Sequence, residues 1–136
     1  MEVDEARGFL SENHRAVLAT RRRDGSPQLS PVAAAVDGSG RVVVSTREAA
    51  AKTRNARRDP RVSLLVMSDG FYGKWVQIDG TAGIVPLPAA MEGLVEYYRR
   101  VAGEHPDWAE YRAAMESERR VLLTITIERA GPDVSG

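Results

Sequence analysis

The hydrophobic positions of this chain switch repeatedly between a helical spacing and a strand-like alternation. Val3, Ala6 and Leu10 recur at helical intervals, with Asp4 and Glu5 in the first turn where the helix dipole favours negative charge, which predicts an amphipathic helix from Val3 to about Asn13. The runs A-V-L-A-T-R-R-R and Q-L-S-P-V-A-A-A-V flank the turn D-G-S-P and read as a hairpin, because Asp24-Gly25 is a favoured turn pair. After a second turn, D-G-S-G, a third strand is expected over Arg41 to Thr46. A short alanine-rich helix then covers Ala49 to Arg58 and is closed by Asp59-Pro60.

Arg61 to Met67 makes a fourth strand and Trp75 to Val85 a fifth. Alternation in the fifth puts Val76, Ile78, Ala82 and Ile84 on one face and Trp75, Gln77 and Thr81 on the other. Gly80 within it predicts a bulge or a close backbone approach. Pro86 and Pro88 end the run. Met91, Leu94, Val95, Tyr98 and Val101 then fit a helix ending at Gly103, and Trp108, Tyr111 and Met115 fit another beginning near Pro106. Val121 to Glu128 is the last of six predicted strands.

Six short strands joined by hairpin turns and covered by a few helices point to a mainly β architecture, a small antiparallel barrel that removes its edges by closing. At 136 residues the chain fits one domain, 1–136. Neither a dinucleotide-type glycine fingerprint nor a phosphate loop of the G-x-x-x-x-G-K kind is present. The absence of cysteine excludes disulfides, thiolate metal sites and cysteine nucleophiles. The N-terminus lacks an apolar signal core and no apolar run approaches the roughly 20 residues of a membrane span, so a cytoplasmic protein is expected.

Charge changes this picture locally. The chain has 19 basic and 19 acidic residues, which argues against a nucleic-acid or membrane-surface binder, since those need a broad positive field. From Arg47 to Arg61, however, six basic residues (Arg47, Lys52, Arg54, Arg57, Arg58, Arg61) face two acidic ones (Glu48, Asp59), a surplus of four. This basic helix reads either as a solvated face or as a cradle for a small phosphorylated ligand. Ser45 and Thr46, at the end of the preceding strand, favour the cradle. His14 and His105 have no metal-ligand spacing and no nucleophile motif is present, so neither a metal site nor covalent hydrolase chemistry is expected. Trp75 is the one aromatic outside the expected core pattern.

The segments A-K-T-R-N-A-R-R-D-P-R-V, D-G-T-A, Y-Y-R-R-V-A-G-E-H-P-D-W-A-E-Y-R-A-A-M and R-R-V-L-L-T-I closely resemble the pyridoxamine-phosphate-oxidase-like family of six-stranded antiparallel split β-barrels, the fold type that binds flavin mononucleotide. Within it the chain is most similar to the actinobacterial branch that uses the deazaflavin coenzyme F-420. That resemblance implies a reductase delivering a hydride to a small unsaturated or conjugated molecule. It further implies that Lys52 contacts the cofactor phosphate, aided by Val44, Ser45, Thr46, Thr53 and Arg54. Gln28, Ser30, Pro31 and Val32 would lie along the tricyclic ring. Trp75 and Gln77 would close over it from the second copy of a homodimer, and Arg54, Arg57 and Arg58 would hold the anionic oligoglutamyl tail. The proton would come from solvent or from a hydroxyl such as Tyr72. Ala50 stands where relatives carry another basic residue, a role open to Arg47. The alternatives are an enzyme using flavin mononucleotide (FMN) on the same fold and a binding module without catalysis.

Overall fold

The computed structural model describes residues 1–135. Helix α1 (Val3–Glu12) is followed by strands β1 (Arg15–Arg21), β2 (Pro27–Ala33), β3 (Ala35–Val36) and β4 (Val42–Arg47), helix α2 (Ala51–Arg58), strands β5 (Arg61–Met67) and β6 (Trp75–Val85), helices α3 (Met91–Ala102) and α4 (Trp108–Ser117), and strand β7 (Arg120–Ala130). The seven strands form one antiparallel sheet in the order β2-β1-β5-β6-β7-β4-β3. Curled on itself, it is a split β-barrel.

The additional strand corrects the expected count of six. Q-L-S-P-V-A-A-A-V was expected to be one strand, but the chain breaks at Ala34: β2 pairs with β1, whereas β3 pairs with β4 at the far end of the sheet. Consecutive residues therefore belong to both sheet edges, and this is how the barrel closes. His14 holds the break from both sides, its carbonyl accepting the Ala34 N–H at 2.9 Å and its Nδ1–H donating to the Ala34 carbonyl at 2.8 Å.

Inside the barrel, alternate residues of every long strand meet in one core that includes Leu18, Val44, Leu64, Val66, Val76, Ile78, Leu123 and Ile125, with Leu10 of α1 and Ala56 of α2 plugged into it. A second core lies outside, where Val43 and Leu122, on the other faces of β4 and β7, are covered by Leu94, Val95, Tyr111 and Met115 of α3 and α4. Tyr98, His105, Trp108 and Tyr111 form a ring cluster at the α3–α4 joint, and the Tyr111 hydroxyl donates to the Leu94 carbonyl at 2.7 Å. The A-G-E-H-P-D-W segment is thus built into this joint, and Gly103 ends α3 with φ 83°, a value glycine tolerates. At Gly80 the β6–β7 register shifts, as expected of a bulge; a Cβ there would collide with the Thr126 carbonyl oxygen and the Ile125 side chain.

Candidate functional site

The barrel is split between β2 and β4. On one side β2 pairs only with β1; on the other, β3 reaches only Val42 and Val43, so the free edge of β4 begins at Val44. The two edges come close without a ladder between them. Gln28, Ser30, Pro31 and Val32 lie on one lip of this slit, and Val44, Ser45 and Thr46 on the other. The structure thus brings together two groups separated by a full strand-turn excursion in the sequence. On the β2 lip, the Ser30 hydroxyl oxygen is buried and has no hydrogen-bond partner among the described residues. Buried polar groups are nearly always paired, so this orphan is the polar atom on the β2 lip that still lacks a partner.

Tyr97 reaches the slit from α3. Its hydroxyl donates to the Ala33 carbonyl at 2.7 Å, straddling the gap between the end of β2 and β4. Burial raises its pKa, opposed by the Ser45 backbone and the Arg120 charge, so it stands there as a neutral phenol.

Helix α2 closes one end of the barrel. Its inward face is polar but fully engaged: Asn55 donates to the Thr20 hydroxyl at 3.1 Å, Thr20 donates to Gln28 at 3.2 Å, and Arg58 donates to Asn55 at 2.9 Å and to the Arg21 carbonyl at 2.8 Å. This chain of bonds seats α2 against β1 and carries through to Gln28 on the lip. Thr53 is 0% exposed, and its hydroxyl donates to the Arg47 carbonyl at 2.7 Å and accepts from the Thr46 hydroxyl at 3.3 Å. Thr46 and Thr53 therefore hold the helix to β4 with hydroxyls facing inward, while Ser45, one residue earlier, lies half-exposed on the opposite face of the strand.

The basic residues divide by partner. Arg47 pairs with Glu118, Arg57 with Glu48 and Arg61 with Asp59. Lys52, Arg54 and Arg58 have no carboxylate partner among the described residues, so the uncompensated charge of the segment lies on α2 itself. Arg54, Arg57 and Arg58 line an open groove of about 580 Å³, and Arg23 joins them from the hairpin tip. A neighbouring concavity adds Arg22 and Arg61. The contribution of Arg22 and Arg23 was not anticipated; the signal was the R-R-R run before Asp24-Gly25, which reads locally as a strand end.

Trp75 and Gln77 lie on the outer face of the sheet, away from the barrel core and therefore away from the lip residue Ser30 of the same chain. No helix covers this outer face of β2, β1, β5 and β6, yet it carries Leu29, Pro31, Val17, Leu65, Met67 and Trp75, with Leu29 61% exposed. In its middle, Asp79 accepts bonds from Ser63 at 2.6 Å, Gln77 at 3.0 Å and Arg129 at 3.1 Å. Burial alone would raise the Asp79 pKa, but these bonds outweigh it and lower it below the usual carboxylate value. Tyr72 is 96% exposed on the β5–β6 loop. β5 runs from the α2 end of the barrel to that loop, and its seven residues place Tyr72 about 20 Å from the basic helix at about 3.3 Å per residue. One chain does not bring Tyr72 to Lys52.

Comparison with known proteins agrees with the fold. The profile of the family described as pyridoxamine 5'-phosphate oxidase matches residues 3–132. The chain belongs to the pyridoxamine 5'-phosphate oxidase family. A curated relative within reach of this family member is the F420H(2)-dependent biliverdin reductase of Mycobacterium tuberculosis (strain CDC 1551 / Oshkosh), 30% identical over 128 residues, which cover 93% of this chain and 84% of that protein. Among solved structures, a conserved hypothetical protein from Mycobacterium tuberculosis superposes with a TM-score of 0.77 at 28% identity, over 100% of this chain and 92% of that one. An F420 reductase superposes with a TM-score of 0.71 at 23% identity, over 91% and 94% of the two chains, and shares the fold. Among the described residues of this family member, no helix is long and apolar enough to cross a membrane.

Proposed function

We propose that this chain is a reductase that uses coenzyme F-420, holds the deazaflavin ring in the slit along β2, and reduces a small conjugated substrate. The observation that carries the reading is the orphaned Ser30 hydroxyl buried on the lip of a slit whose end is capped by the unneutralised cations of α2. A ligand satisfying both has a polar planar body and an anionic extension. Lys52 would hold its phosphate, and the groove of Arg23, Arg54, Arg57 and Arg58 would receive an anionic tail. Bound there, the coenzyme supplies a hydride. The protein positions the ring between two strand edges, excludes water with the barrel wall and Tyr97, and leaves the proton to solvent. The relative that bears the name biliverdin reductase supports an extended conjugated substrate, such as an open-chain tetrapyrrole.

The uncovered sheet face supports a homodimer, in which Trp75 and Gln77 of a second copy would approach the slit. Antiparallel sheets tolerate a solvated face when it is polar, and this one carries Leu29, Pro31, Val17, Leu65, Met67 and Trp75 beside its polar Asp79 network. Sedimentation at low micromolar concentration should give one species near twice 14.9 kDa.

Fluorescence titration with F-420 and with FMN tests the cofactor. Tighter binding of F-420, weakening as salt rises, is expected because the tail groove is solvent-exposed and screened. Preference for FMN, with a yellow protein on purification, would replace this reading by the flavin alternative. Binding of F-420 without turnover of any conjugated acceptor would make the chain a carrier.

A further inference from the structure

A second concavity, of about 710 Å³, lies on the other side of α2, between the end of β6, the start of α3 and the turn from α4 into β7. Its floor is apolar, made by Pro86, Leu87, Pro88, Met91 and Val121. Its rim carries Arg57, Arg112, Arg119 and Arg120 against Glu48 and Glu116, so four positive charges face two negative ones. Three of these arginines are held by carboxylates: Arg57 by Glu48, Arg112 by Glu92 at 2.8 Å and Arg120 by Glu118 at 2.9 Å. Arg119 has neither an ion pair nor a side-chain hydrogen bond among the described residues.

The backbone singles out the same residue. Arg119 has φ 53°, the one left-handed non-glycine residue among those described. It follows the helix end at Glu118, a position where glycine is the common choice because an L side chain is strained there. The turn itself has a structural purpose, since the Arg119 carbonyl accepts the Glu48 N–H at 2.9 Å and ties the turn to the loop before α2. Glycine would make that bond equally well. The strain therefore attaches to the side chain, and strain that the fold does not require points to function.

We infer that this cleft is a binding site, distinct from the slit, for a small organic anion with a compact apolar body. Arg119 anchors the anionic group, and the Pro86–Met91 floor takes up the apolar part. The size falls in the range of small-molecule pockets, and an apolar base with one free cation is the complement of an amphiphilic carboxylate or sulfonate. Arg57 lines both this cleft and the tail groove, but neither Arg119 nor the apolar floor belongs to the slit or to that groove, so the inference rests on residues that the coenzyme assignment does not use.

The test uses the full chain with 8-anilinonaphthalene-1-sulfonate as the probe, followed by its fluorescence. Arg119→Gly is expected to weaken probe binding about tenfold, the loss of one charge-assisted contact in a half-open site, while raising the thermal midpoint by about 3 °C through relief of the left-handed strain. Arg119→Asn, which also tolerates the left-handed region, should lose the probe similarly, so the result does not hang on one variant. Sodium sulfate should compete poorly, lacking an apolar body. Unchanged probe affinity in both variants would overturn the inference. So would stoichiometric displacement of the probe by F-420, which would assign the cleft to the coenzyme, or competition by sulfate as effective as by the dye.

Discussion

Replacing Ser30 by alanine should move stability and binding in opposite directions. The hydroxyl is buried without a partner, and a buried polar group left unsatisfied costs about 1–3 kcal/mol. Alanine removes that penalty and leaves a void no larger than an oxygen atom, so the free protein is expected to gain about 0.5–1 kcal/mol. For a domain of this length that raises the thermal midpoint by roughly 2–5 °C. The same change deletes a hydrogen bond to the ligand worth about 0.5–1.5 kcal/mol net, a loss of roughly 2- to 12-fold in affinity for F-420. Calorimetry of the free protein and fluorescence titration of the coenzyme read the two effects separately. A variant less stable than the parent would show that Ser30 is satisfied within the chain. Unchanged affinity in a more stable variant would remove the hydroxyl from the binding site while leaving the packing argument intact.

Three further outcomes are expected. Lys52→Ala should weaken F-420 by about 10- to 150-fold, the value of a charge-assisted contact of about 1.5–3 kcal/mol, and an unchanged dissociation constant in a titration would make Lys52 a solvated surface residue. Asn55→Ala should destabilise the fold by about 2–3 kcal/mol in denaturant melts, because it breaks buried bonds to Thr20 and Arg58 and loosens α2; a loss below about 0.5 kcal/mol would show that apolar packing alone seats the helix. Because the folded pKa of Asp79 is lowered, its contribution is fully present above the unfolded carboxylate pKa near 3.9 and is lost as pH falls through the lower folded value. Asp79→Asn should therefore flatten the stability profile below about pH 4, and an unaltered acid limb would refute the role of the Ser63–Gln77–Arg129 bonds.

Most of the elements were legible because their signals are local. β5 and β6 have the expected bounds, Gly80 sits at a register shift, and Gly103 ends α3. The break at Ala34 was not legible, since A-A-A carries no alternation to show that the chain changes sheet edges there. The opposite facing of Ser45 and Thr46 follows from strand geometry, and the adjacency of the two hydroxyls in sequence obscured it. Which arginines of the Arg47–Arg61 segment are neutralised depends on Glu48, which takes Arg57, and on Glu118, which takes Arg47, and their approach is set by tertiary packing. Tyr97 reads in the sequence as one more helix aromatic; only the fold brings its hydroxyl to the Ala33 carbonyl.

The two-sided grip of His14 on Ala34 has a consequence for ligand range. Because the slit has no ladder of its own, the distance between its lips at this end is set by the covalent elbow at Ala34, by the two bonds that lock that elbow and by the Tyr97 bond to Ala33. A cylinder fastened in this way behaves as a clasp: changing the fastener alters the aperture while the strand ladders elsewhere keep their register. His14→Ala, which leaves the backbone bond but removes the side-chain one, changes the gauge of the opening without touching any residue of its lips. Tolerance for bulkier or thinner planar ligands is therefore adjustable at a residue that contacts none of them.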